Sequence, residues 1–141
     1  MRTFRQTVQP LRRLAIVSLA LGLGARPLSA QSRQEIGTIS GGNPVLLETK
    51  TVSRAAGIIT AAVRVKFLKP TKVPAGFWYS SRTIVMLDCK KQLVAVKENW
   101  YYADEAGVKI GNHKVVGIPG YATPLPGSMP KVALDHLCRT R

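Results

Sequence analysis

Acidic side chains are scarce in this sequence. Seven Asp and Glu stand against twenty-one Lys and Arg, a formal net charge of +14 at pH 7 over 141 residues. A chain so poor in carboxylates has few general acids or bases, and its field favours anionic partners. Cysteine is almost absent, with Cys89 and Cys138 the two copies. Histidine is as rare, limited to His113 and His136. No apolar run is long: the longest, Leu14 to Leu23, covers roughly ten residues, and a spanning helix needs about twenty. There is no internal repeat and no heptad pattern, which excludes solenoids and coiled coils. No glycine-rich phosphate loop follows a strand. Ser80, Ser81 and Ser128 lack a nucleophile elbow or a patterned His–Asp partner. Asp104 and Glu105 are neighbours in a turn, so they point apart rather than across a shared substrate.

What is present begins with a leader. Arg2, Arg5, Arg12 and Arg13 precede the apolar run, and a small-residue stretch ends in Leu28-Ser29-Ala30. This order reads as a secretory signal peptide over residues 1–30, cut after Ala30, with Ala25 as the alternative. No cysteine lies near the cut to carry a lipid. All seven acids and sixteen of the cations follow Ala30, so the remainder keeps a formal charge of +9 as one modest domain. Export turns the expectation away from nucleic acid and toward lipid headgroups, lipopolysaccharide, sulphated glycans or acidic protein patches. A bland alternative is that the charge serves solubility alone. Export also changes the cysteine reading. In an oxidising compartment an even pair forms a bridge, here Cys89 to Cys138. A metal site is the competing use of two thiols, and their spacing does not support one.

Along the chain, residues 31–44 are polar and rich in Gly and Ser, and read as a flexible N-terminal arm ahead of a domain over 45–141. Val45 to Val52 is a plausible first strand. Ile58 to Leu68 alternates Val63, Val65 and Phe67 with Arg64, Lys66 and Leu68, which gives one apolar and one basic face. Pro70, Pro74 and Gly76 should break the chain. Phe77 to Cys89 is a second long strand, with Cys89, Leu87 and Val85 on the core side. Leu93 to Tyr102 pairs with it through a Lys90–Gln92 turn, Val94, Val96 and Glu98 sharing one side. Val108 to Ile118 returns after an Ala103–Gly107 turn. Residues 119–126 carry three prolines and form an irregular crossing. Ser128 caps a short amphipathic helix in which Met129, Val132, Ala133 and Leu137 make one stripe, with Leu134 and Cys138 beside it. The fold class expected is therefore α+β: an antiparallel sheet of about five or six strands with one C-terminal helix stapled to it.

The candidate binding residues are Arg64, Lys66, Trp78, Arg82, Lys97, Trp100 and Lys114, cations interleaved with aromatics that cover large area at low entropic cost. The same rings also suit plain sheet packing. Lys90 and Lys91 extend the basic rim. His113 is a weak candidate to hold haem or a divalent ion; no other metal ligand and no cofactor is expected.

The run from Ser81-Arg82-Thr83 to Asp88-Cys89 carries a resemblance. So do Val96-Lys97-Glu98-Asn99-Trp100-Tyr101-Tyr102, the Asp104-to-Gly107 turn, and Pro126-Gly127-Ser128 before a helix ending in Cys138. Together they resemble the surface-adhesin protein E family, best from Ile58 to Cys138. The resemblance implies an exported bacterial domain whose C-terminal helix is tethered by a disulfide. For the namesake it implies adhesion to host matrix and plasma proteins. It supplies no catalytic residue. The function expected is a non-enzymatic exported binding domain, in the periplasm or at the cell surface. The alternatives are a periplasmic inhibitor or scaffold acting through the Pro119–Pro126 loop, and a haem or metal binder through His113.

Overall fold

The structure is a computed structural model that describes residues 32–139. The leader expected over residues 1–30 lies outside the described residues. Seven strands form one antiparallel sheet. They are β1 (Arg33–Ile39), β2 (Asn43–Glu48), β3 (Ser53–Ala55), β4 (Ile58–Val73), β5 (Gly76–Asp88), β6 (Leu93–Tyr102) and β7 (Ile110–Val115). The order across the sheet is β1-β2-β4-β5-β6-β7, with the short β3 beside the start of β4. One helix, α1 (Met129–Arg139), follows.

The alternation in β2, β4 and β5 decides which face is dry. Val45, Leu47, Val63, Val65, Val85 and Leu87 are all buried on the helix side. The α1 residues Ala133, Leu134 and Leu137 close over them. Removing such side chains from water at about 25 cal/mol per Å² is the main force that seats the helix. The bridge between Cys89, just beyond β5, and Cys138 in α1 is formed, with an S–S distance of 2.09 Å and a Cα–Cα distance of 5.5 Å. The expected α+β layout with a stapled terminal helix is thus present.

Several local expectations give way. The segment read as a flexible arm is in large part β1, an edge strand paired from Arg33↔Glu48 to Ile39↔Asn43. Its polarity marks an edge strand with exposed side chains, which a reading of composition mistakes for a linker. A bulge between Glu35 and Gly37 lets Ile36 reach the core cluster. Gly37, at φ +154°, permits the helix to lie close: a Cβ there would stand 2.8 Å from Val132 Cγ1. Pro74 ends β4 as expected, but Pro70 does not break it. The strand absorbs Pro70 in an irregular stretch between Lys66 and Thr71, where no ladder N–H is required, and Pro74-Ala75 forms the hairpin turn. β7 is shorter than expected at both ends, and at its start the reason is that the Asp104 carboxylate accepts the N–H groups of Val108 (2.9 Å) and Lys109 (2.9 Å), which keeps both in the preceding turn. The Ser128 hydroxyl donates back to the Leu125 carbonyl (2.6 Å) instead of capping α1; its own carbonyl accepts Val132 N–H (3.1 Å).

A bulge in β6 has the widest effect. Ile84 faces Glu98 but Val85 faces Val96, so Lys97 is the extra residue. Its carbonyl accepts the N–H of Val116 (2.9 Å). The inserted residue flips the parity of the strand. Val94 and Val96 turn to the helix side with Leu87 and Val85, while Glu98, Trp100 and Tyr102 turn to the opposite face. Uninterrupted alternation would have put Val96 and Glu98 together.

Candidate binding surface

The face opposite α1 carries a row of directly paired residues across five strands: Leu46, Arg64, Arg82, Trp100 and His113. Neighbouring strands lie about 4.8 Å apart, which suits flat groups standing on the sheet and stacking sideways. Trp100 is flanked on both sides. The Arg82 guanidinium carbon lies 4.9 Å from the Trp100 ring centroid, from β5. From β7 the His113 ring lies 4.7 Å away, tilted 7°. His113 Nε2 is 3.4 Å from Glu98 Oε2. Arg64 leans instead over the Tyr102 ring, at 4.9 Å.

Glu48 closes the other end of the row. Its carboxylate accepts Arg64 Nε (2.6 Å), Arg82 Nε (3.0 Å) and Arg82 Nη2 (2.8 Å). The three side chains are 15–20% exposed. Burial, the largest single influence, pushes the Glu48 carboxyl upward, but the hydrogen bonds and charges of Arg82 and Arg64 together outweigh it and hold it below the ordinary 4.5. The bond to Glu48 in turn raises Arg82 above its already high value. One carboxylate between two guanidinium groups leaves the cluster cationic. A guanidinium has five N–H donors, and most of them on Arg64 and Arg82 are not used on Glu48. Arg33, Lys50, Ser32 and Thr51 stand around them and complete a shallow cleft of about 390 Å³. The Asp104–Gly107 turn folds over the far side of Arg64: a Cβ on Gly107 would meet Arg64 Nη1 at 3.2 Å and Ser80 Oγ at 3.6 Å.

The structure separates the residues singled out in the sequence. Arg64, Arg82 and Trp100 come together in the row, and Lys66 follows Arg64 on the same face. Lys97 sits at the bulge. Lys114 pairs with Asn99, on the helix side of the sheet, away from the row. Trp78 stacks on Tyr101 at 4.0 Å where the β4–β5 hairpin leaves the sheet. Tyr102, one of the aromatics grouped near the strand ends in the sequence, joins the surface under Arg64, and two residues that sequence reasoning had not placed in a binding surface, Glu48 and Glu98, are structural members of it. One signal for Glu48 was available: it is the only carboxylate between Glu35 and Asp88. Among the described residues no three His, Cys, Asp or Glu side chains gather as metal ligands, and no helix is long and apolar enough to cross a membrane.

No family model and no curated sequence matches the chain. Solved structures do. Protein E from Haemophilus influenzae aligns with a TM-score of 0.53 at 13% identity, covering 77% of this chain and 85% of that one. A second crystal form of that protein aligns with a TM-score of 0.55 at 12% identity, covering 77% and 88%. Protein E from non-typeable Haemophilus influenzae gives 0.54 at 11%, covering 77% and 76%. At these identities the likeness is one of architecture: the chain has a protein E-like fold.

Proposed function

We propose that this chain is an exported, non-enzymatic binding domain that meets an anionic extracellular ligand through the sheet face opposite α1. The observation that carries the reading is the cationic cleft around Arg64 and Arg82. Its guanidinium groups are held in place by Glu48, Trp100 and Tyr102, so little side-chain entropy is left to lose on binding. Four of the seven carboxylates are committed to structure, which suits a binding module. Glu48 holds two arginines, Asp88 accepts the N–H groups of Lys90 and Lys91, Asp104 shapes the turn, and Asp135 pairs with Lys131. The bridge between Cys89 and Cys138 fits an oxidising compartment. The protein E-like fold agrees with an adhesin role. Since Trp100 is sandwiched between Arg82 and His113, the guanidinium edges rather than its ring faces make the contact.

Titration with a fluorescent sulfated oligosaccharide tests this. Arg33→Gln with Lys50→Gln, both at the cleft rim, is expected to weaken binding about tenfold at low salt, and about half-molar sodium chloride is expected to abolish most of it. Binding that ignores both the double substitution and the salt would rule out the cleft.

A further inference from the structure

A second surface lies apart from that cleft. Beyond the Lys66–Ser80 pair the β4–β5 hairpin leaves the sheet and continues through Thr71–Trp78, Lys72–Phe77 and Val73–Gly76. Among the described residues, no other strand pairs with this ribbon. Three further pairs at about 3.4 Å per residue give it a reach of roughly 10 Å. Its tip, Val73-Pro74-Ala75-Gly76-Phe77, contains no polar side chain. Phe77 is 48% exposed, and Leu68, in the irregular stretch lower down, is 61% exposed. Lys66, Lys69 and Lys72 are exposed along the β4 side of the ribbon, from its base at Lys66 to Lys72, which stands directly across from Phe77. From Thr49 to Leu87 the chain has seven cations and no acid.

About half of the Phe77 surface stays open to solvent on a projecting hairpin. The ribbon is also too narrow for the roughly 800 Å² per partner that a stable protein interface buries. An apolar tip of about this reach with lysines along its strand matches the headgroup zone of a bilayer, into which interfacial elements sink about 5–10 Å. Lysines near such a surface are drawn to anionic lipid phosphates. At the root, Trp78 stacks on Tyr101, an aromatic pair suited to the membrane–water boundary. We infer that the Lys66–Phe77 ribbon is a lipid-contacting element that dips its tip into an anionic bilayer, with Lys69 and Lys72 on the phosphates. This stands apart from the cleft, from which the tip projects separately.

The test is sedimentation of the purified protein with phosphatidylcholine vesicles, with and without about 30% phosphatidylglycerol, at about 0.1 M salt. Wild type is expected to bind the anionic vesicles and to leave the neutral ones. Lys69→Gln with Lys72→Gln should lower the partition coefficient about thirtyfold, and Phe77→Ser about tenfold. A Phe77→Trp variant should shift its emission to the blue on anionic vesicles only. Arg33→Gln with Lys50→Gln should bind vesicles as wild type does, which keeps failure of the cleft distinct from failure of the ribbon. The inference is overturned if wild type does not bind, if the ribbon variants bind unchanged, or if the Phe77→Trp emission stays put. It is also overturned if the lysine substitutions weaken capture of dextran sulfate as strongly as that of vesicles, which would make the ribbon a general polyanion contact.

Discussion

Glu48 is the residue on which the open face turns. It stands on β2, one position beyond the Leu47 that enters the core, and reaches diagonally to cations on the next two strands. Removing one partner of a largely buried, hydrogen-bonded ion cluster leaves the others with unmet charge. Glu48→Gln is therefore expected to lower unfolding stability by about 2 kcal/mol, read from urea titration. The sign with pH follows from the depressed carboxyl. Its stabilisation is complete above the ordinary 4.5 and is lost as pH falls through the lower folded value. The gap between wild type and Glu48→Gln should thus narrow on acidification below 4.5; a gap that stays constant would show that the charge of Glu48 does not matter. The lone acid in a long cationic stretch could be seen in the sequence. Its partners could not, because they depend on the diagonal geometry of three strands that are far apart in the chain.

At the level of elements, strands with clean alternation were legible and interrupted ones were not. β5 runs as its pattern suggests, since every second residue from Ser81 to Leu87 enters the buried side. β6 defeats the pattern at Lys97, where a single inserted residue moves Glu98, Trp100 and Tyr102 to the open face. β1 was hidden because an exposed edge strand needs no apolar stripe. The helix was legible from its spacing, and its attachment from cysteine pairing. Eleven residues are too few to hold a helix in water alone. Its place rests on Ala133, Leu134 and Leu137 and on a bridge between residues 49 apart. Cys89→Ala with Cys138→Ala is expected to lower stability by about 2–4 kcal/mol in urea while far-ultraviolet dichroism still shows a sheet. A loss below about 1 kcal/mol would mean that packing alone seats the helix.

Over the whole molecule the excess of cations is the dominant long-range term. Like charges repel in the compact state, and salt screens them beyond about 10 Å at 0.1 M. Because the Glu48 cluster is partly buried and screened less, the net effect of salt should be stabilising. The melting temperature is expected to rise by about 2–5 °C between roughly 0.02 and 0.3 M sodium chloride; a fall would place the balance with attractive pairs. By itself the sequence determined the properties that are local or additive. These are the charge balance, the alternation that makes a two-faced sheet, the amphipathic tail and the single possible intrachain pairing of two cysteines. Only the tertiary structure decided where the cations stand. Bulges shift the side-chain parity of a strand without leaving a mark in its composition, and cross-strand register brings together residues separated by dozens of positions. The gathering of Glu48, Arg64 and Arg82, the sandwich around Trp100, the exile of Lys114 to the other face and the projection of the Lys66–Phe77 ribbon are all consequences of that register.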